Sequence, residues 1–71
     1  MEVFEYLRRT IHDLVGVPEE DIHPESTPRE LNLDSFDVEE LVLDVEEQYD
    51  IYLPEPSFET LDDLAKLVTA A

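Results

Sequence analysis

The 71-residue sequence has no cysteine, no tryptophan, one glycine and only four basic residues. The lack of cysteine excludes disulfide bonds and thiolate metal sites. No apolar run approaches the ~20 residues that a membrane span requires. The N-terminal stretch MEVFEYLRRT lacks the basic-then-apolar order of a signal peptide. We therefore expect a cytoplasmic protein.

The charge of the chain is strongly one-sided, with 20 acidic residues against four basic ones and a formal net charge of −16. Such a surface repels the phosphates of nucleic acids and the surface of an anionic membrane. It attracts basic protein surfaces, and this attraction weakens as salt is added. We expect protein partners with basic docking surfaces, no nucleic-acid partner and a monomeric chain.

The sequence contains enough apolar residues to fold, at 42% of the chain. A domain of this size buries only about 60% of the surface that its unfolded chain exposes, so we expect one domain, residues 1–71, without a deep active-site cleft. Apolar residues recur at helical spacing in three segments, Glu2–Val15, about Ser35–Tyr49 and about Leu61–Ala70. Strand-like alternation and internal repeats are absent from the sequence.

Helix boundaries are marked by residues with known local preferences. Gly16 is suited to end the first helix and Thr60 to cap the last. Pro54 and Pro56 cannot continue the second helix, and we expect a short turn or helix near residues 57–60. The first helix is predicted to face the core with Val3, Phe4, Leu7, Ile11, Leu14 and Val15, and the long loop over residues 17–33 to tuck in Ile22 and Leu31. The predicted fold is all-α, a small four-helix bundle of three main helices and one short helix.

The second helix has two different faces. At about 100° per residue, one face holds the core stripe of Val38, Leu41, Val42, Val45 and Tyr49. The opposite half holds acidic residues together with two apolar ones; its members include Phe36, Glu39, Glu40, Leu43 and Glu47. Single exposed apolar residues are common on protein surfaces and need no function. The alternative is a docking strip, in which the acids steer a basic partner and the two apolar side chains supply desolvated contact.

The pair Asp34-Ser35 opens this helix and has more than one interpretation. Both residue types are favoured helix caps. A serine nucleophile lacks support, because the sequence has no G-x-S-x-G elbow and its two histidines, His12 and His23, have no paired spacing. A helix N-terminus also favours a phosphate group, such as a phosphodiester on Ser35. The acidic run lacks the glycine-containing loop of an EF-hand, so we expect no dedicated metal site.

The segment ELNLDSFDVEELVLDVEEQYDIYLP, residues 30–54, resembles acyl carrier proteins and related thiolation domains. That family has a D-S-L or D-S-F core at the start of its second helix, followed by a V-E-L-like segment, an aromatic-Asp pair and an I-P or L-P close. The matching residues here are Asp34-Ser35-Phe36, Glu40-Leu41-Val42, Tyr49-Asp50 and Leu53-Pro54. The order of the helices and loops around the motif also matches.

The resemblance implies a four-helix bundle that is not itself an enzyme. It implies that Ser35 carries 4'-phosphopantetheine, transferred from coenzyme A by a phosphopantetheinyl transferase, and that Asp34 helps the transferase recognise the site. The arm then holds an acyl or aminoacyl group as a thioester, which gives thiol chemistry to a chain without cysteine. It further implies that partner enzymes bind a docking strip, which we define as Phe36, Glu39, Glu40, Leu43 and Glu47.

The sequence leaves the cargo open. The first interpretation is a stand-alone acyl carrier of fatty acid or polyketide biosynthesis. A second is an aminoacyl or peptidyl carrier, because D-S-F with YDIYLP downstream is similar to D-alanyl carriers. A third, from another class, is an acidic interaction module or nucleic-acid mimic in which Ser35 is only a cap. The family often has glycine where this chain has Asn32, a residue that tolerates left-handed backbone better than most.

Overall fold

The structure is a computed structural model that describes residues 2–54 and 57–71. It contains three α-helices: α1 is Glu2–Val15, α2 is Ser35–Tyr49 and α3 is Leu61–Ala70. A 3-10 helix of one turn, Glu19–Asp21, lies in the long loop between α1 and α2. Strands are absent from the described residues. The prediction of a small all-α fold is confirmed, with the three main helices at the predicted bounds.

Helix α1 is the central element and packs against both other helices. Its apolar residues at three- and four-residue spacing, Phe4, Leu7 and Ile11, are buried in the core. The helix ends at Gly16, which adopts a left-handed φ of 78° and donates its N–H to the His12 carbonyl at 2.8 Å. The prediction for Leu14 is wrong: it lies in the last turn of α1, where no neighbouring element covers it, and it is 38% exposed.

The long loop is held by hydrogen bonds to the start of α3. The first N–H groups of a helix have no partner within it. Here the N–H of Leu61 donates to the Ser26 carbonyl at 3.0 Å, and that of Asp62 donates to the Pro24 carbonyl at 2.8 Å. Ile22 and Leu31 are buried as predicted, so the loop contributes both backbone and apolar contacts to the bundle.

Helix α2 ends before the prolines that follow it. Asp50 takes a left-handed φ of 53° and its N–H bonds to the Glu46 carbonyl, which closes the helix. The Glu46 carboxylate then accepts a hydrogen bond from the Leu53 N–H at 2.7 Å and fixes the departing chain. Pro54 therefore follows a helix that has already ended, and the predicted role of Pro56 lies outside the described residues.

The short element expected near residues 57–60 is a bend at Glu59 and Thr60, not a helix. It leads into α3, where Thr60 accepts a hydrogen bond from the Asp63 N–H, and Asp63 accepts one from the Thr60 N–H. The one short helix among the described residues is the 3-10 turn in the long loop. In the described part of the chain, the minor helix therefore lies before α2.

A single core joins the three helices and the long loop. Its buried members are Phe4, Leu7, Ile11, Ile22, Leu31, Leu33, Leu41, Val45, Leu61, Leu64, Ala65 and Val68. Tyr6 and Tyr49 pack edge to face beside it, with ring centroids 5.7 Å apart. Of the stripe predicted on α2, Val38 and Tyr49 are only half-buried. None of the helices in the described part of the chain has the length and apolar character to cross a membrane.

Candidate functional site

The N-terminus of α2 is built by a reciprocal pair of hydrogen bonds. The Asp34 carboxylate accepts from the Asp37 N–H at 2.8 Å, and the Asp37 carboxylate accepts from the Asp34 N–H at 3.3 Å. Asp34 is therefore the helix cap and Ser35 is the first helical residue. The Ser35 hydroxyl is exposed and makes no hydrogen bond to the described residues. Of the two candidate caps in the sequence, Asp34 alone takes that role.

A tight turn before α2 directs this hydroxyl outward. Leu31 and Leu33 are both buried, and Asn32 between them is exposed with a left-handed φ of 60°. The N–H of Leu33 donates to the Pro28 carbonyl at 2.9 Å and closes the turn. The two leucines anchor the turn in the core, so that the next residues emerge at the surface. The turn requires a left-handed backbone at this position, where the resembling family often has glycine. Asn32 adopts that backbone.

Beside Ser35 lies an open groove of about 510 Å³. Three separate parts of the chain form it: the turn before α2, the first two turns of α2 and the segment that precedes α3. Its lining residues are Pro28, Ser35, Val38, Glu39, Ser57 and Phe58. Three of the lining side chains, Pro28, Val38 and Phe58, are apolar, and Glu39 contributes one carboxylate. Sequence patterns gave no signal for Phe58 here, because only the tertiary fold brings residues 57 and 58 to Ser35.

The docking strip lies on the solvent side of α2, as the helical wheel predicts. Phe36 is 64% exposed and Leu43 is 59% exposed, so both apolar side chains present most of their surface to solvent. The three acidic members of the strip, Glu39, Glu40 and Glu47, are exposed as well. Apolar contact area and negative charge therefore share one surface.

A second groove of about 440 Å³ runs along this face. It is lined by Phe36, Val38, Glu39, Glu40, Val42 and Leu43. The helical wheel places Val38 and Val42 in the core stripe of α2, but both also contribute to this groove. Val42 lies at the edge of the apolar stripe, about 40° from Val38 on the helical wheel, and this position could have indicated its double role, whereas Val38 lies near the centre of the stripe. Glu39 and Val38 line both grooves, so the two depressions are neighbours on one flank of α2.

The charge around the site is negative without local compensation. Residues 34–50 include eight acidic residues and no lysine or arginine. Of the eight, Glu46 is half-buried and bonded to the Leu53 N–H. The electrostatic field along α2 thus favours a basic partner and disfavours an anionic one.

The two histidines do not form a catalytic arrangement with Ser35. His12 lies at the C-terminal end of α1, where its Nδ1 is 2.8 Å from the Val17 carbonyl and donates to it. His23 is exposed in the long loop, and neither histidine lines the groove beside Ser35. Within residues 2–54 and 57–71, no three His, Asp or Glu side chains are grouped so that they could hold a metal ion.

Comparison with known protein families gives a match over almost the whole chain. Residues 5–71 match the family model described as a phosphopantetheine attachment site. The matched region contains all three helices except the first residues of α1, together with the α2 N-terminus and both grooves.

Proposed function

The chain belongs to the phosphopantetheine-attachment family, and from that premise we propose that Ser35 is the residue to which 4'-phosphopantetheine is attached. The observation that carries this proposal is the exposed Ser35 hydroxyl at the first position of α2. Asp34 caps the helix, so the Ser35 hydroxyl is not used as the cap. Ser57, the other serine of the same groove, precedes α3 and has no helix N-terminus behind it.

The surroundings of Ser35 fit a phosphodiester and an arm leading away from it. The positive end of the α2 dipole favours a phosphate at this position. The groove beside Ser35 is open to solvent, so that an attached arm has room on the surface. The arm supplies a thiol, which holds an acyl or aminoacyl group as a thioester. Ser35 anchors it, and Asp34 holds the helix end while offering a charge that the transferase can recognise.

We propose that the whole chain works as one carrier domain and that the docking strip receives its partner enzymes. These are a phosphopantetheinyl transferase and the enzymes that load or remove the cargo. Phe36 and Leu43 supply apolar contacts that become desolvated in the complex. Glu39, Glu40 and Glu47 pair with basic residues and raise the association rate at low salt. The domain itself performs no catalytic step and acts as a monomer in the cytoplasm.

The acyl and aminoacyl versions of this function share the same site. We favour an acyl carrier, and an aminoacyl or peptidyl carrier is the second candidate, supported by the D-S-F core and the YDIYLP segment. Loading the holo protein with acyl- and aminoacyl-activating enzymes, followed by intact mass measurement of the thioester, distinguishes the two.

The attachment proposal is tested with coenzyme A, a phosphopantetheinyl transferase of broad specificity and intact mass spectrometry. We expect the wild-type chain and the Ser57→Ala variant to gain the mass of one phosphopantetheine group. The Ser35→Ala variant should gain none. If the wild-type chain stays unmodified with several transferases, the acidic interaction module becomes the better interpretation. Modification that persists in Ser35→Ala would place the arm on another residue.

A further inference from the structure

The docking strip is too small to be a complete protein interface. A specific interface covers roughly 800 Å² and 20–30 residues on each partner. The strip has five residues on one face of a 15-residue helix. A protein that binds it therefore also contacts a neighbouring element. The flank of α2 that carries Glu39 and Val38 borders Ser35, and the opposite flank faces α1.

On the α1 side, the two helices form a shallow groove of about 250 Å³, which we call the seam groove. Its lining residues are Tyr6, Arg9, Thr10, Asp13, Leu14 and Asp44. Asp44 is the next residue after Leu43 of the docking strip, so the groove continues the strip across the edge of α2. Leu14, which the core leaves exposed, adds apolar surface to it. Exposed acids, one cation and an apolar side chain thus lie together next to the strip.

Arg9 differs from the cations that have partners in the fold. Arg8 forms an ion pair with Glu5, and the Lys66 ammonium lies 3.1 Å from the Asp62 carboxylate. Arg9 and Arg29 are both exposed and form no ion pair with the described residues, and of these two Arg9 lines the seam groove. A free guanidinium presents a rigid set of donors that matches a carboxylate in two-point contact. Among the residues that line the seam groove, Arg9 lies beside Asp13 and Asp44 and supplies the one cation, which can pair with a carboxylate.

We propose that Arg9 and Leu14 extend the docking strip and bind the phosphopantetheinyl transferase that modifies Ser35. Arg9 pairs with a carboxylate of the transferase, and Leu14 contacts an apolar side chain, while basic residues of the transferase face the strip. This inference rests on the proposed attachment at Ser35. Ser35 and Asp44 lie on opposite flanks of α2 and are separated by about 14 Å along the helix at a rise of about 1.5 Å per residue, so an interface that reaches both also covers the docking strip between them. A round patch of roughly 800 Å² has a radius of about 16 Å.

If Arg9 binds a carboxylate of the transferase, Arg9→Glu should change kcat/KM in the direction opposite to that expected from general charge attraction. Arg9→Glu makes the chain more acidic by two charges, so that general attraction to a basic transferase would increase kcat/KM. We expect kcat/KM for modification to fall about tenfold instead, through KM, because a partner carboxylate then faces a like charge. Lys66→Glu is the matched control: it makes the same charge change on α3, outside the seam groove. It should keep or raise kcat/KM.

Milder substitutions and melting curves show whether a loss of kcat/KM comes from a folding defect. Arg9→Gln should lower kcat/KM about threefold, and Leu14→Ser should lower it by a similar factor, with cooperative melting retained in both. The inference is overturned if Arg9→Glu is modified as well as Lys66→Glu, if both lose kcat/KM equally, or if Arg9→Gln and Leu14→Ser match the wild type. Modification of the wild-type chain that is lost in Ser35→Ala in the same assay supports attachment at Ser35 independently, so the two proposals fail separately.

Discussion

Asp34 has two roles in this account, and two substitutions separate them. As the cap of α2, its carboxylate accepts the Asp37 N–H at 2.8 Å. As a recognition residue, it offers its charge to the transferase. Asparagine is as good a helix cap as aspartate, whereas alanine is a poor one. Asp34→Asn therefore keeps the cap and removes the charge, while Asp34→Ala removes both.

Asp34→Ala should lower the Tm more than Asp34→Asn, because it removes the cap as well as the charge. Loss of a cap costs about 0.5–2 kcal/mol, and a domain of this size loses about 4–8 °C in Tm for each kcal/mol. Asp34→Ala should therefore melt about 2–16 °C below the wild type. Asp34→Asn loses only the interaction of its charge with the helix dipole, about 0.3–1 kcal/mol. Its Tm should fall by no more than about 8 °C.

Modification rates then report the second role. A hydrogen bond to a charged group contributes about 1.5–3 kcal/mol, so Asp34→Asn should lower kcat/KM for the transferase about 10- to 100-fold. Circular dichroism gives the Tm, and intact mass against time gives the rate, both on the same samples. Wild-type rates in Asp34→Asn would refute recognition of the charge. An unchanged Tm in Asp34→Ala would refute the cap.

Two further predictions concern packing and pH. Leu41 is fully buried and Leu43 is 59% exposed, so Leu41→Ala should cost about 2–5 kcal/mol, a large part of a total of about 4–11 kcal/mol. Leu43→Arg should change stability by less than about 0.5 kcal/mol and slow transfer to partner enzymes. Denaturant unfolding measures the stability of both variants, and transfer kinetics measure the second effect. Loss of cooperative unfolding in Leu43→Arg would contradict the placement of Leu43 on the exposed face of α2. Burial, with the nearby Asp44 charge, raises the pKa of Tyr6 above its usual 10.0. Its neutral phenol therefore contributes stability that is fully present below about pH 10 and declines as pH rises through the folded pKa. Tyr6→Phe should flatten this alkaline decline in Tm, and an equal decline in both proteins would show that another group causes it.

The helices of this fold could be predicted from sequence because several local signals agree. In α1, apolar spacing and a terminal glycine indicate the same bounds. In α3, Thr60 and Asp63 form the reciprocal capping pair while Leu61 and Leu64 enter the core. Such agreement between local preference and burial is what allows a short chain to specify one fold. The exposed acidic face of α2 followed from the same helical periodicity.

Features that depend on neighbouring elements could not be predicted in the same way. A helical wheel gives the direction of Leu14 but not whether another element covers it. The same limit applies to Val38, which belongs to the apolar stripe of α2 yet lines two surface grooves. Sequence preferences also could not decide which of Asp34 and Ser35 caps the helix, since both residue types are favoured there. The hydrogen bond to Asp37 decides it and leaves the Ser35 hydroxyl free.

The absence of cysteine provides the most direct test of the central proposal. The unmodified chain has no thiol, so any thiol found on the protein after treatment, once free coenzyme A and the transferase have been removed, belongs to an attached arm. The account predicts that purified, treated wild-type protein reacts with one equivalent of a thiol reagent, and that Ser35→Ala reacts with none. A thiol-free wild-type product, or an equal thiol content in Ser35→Ala, would contradict it.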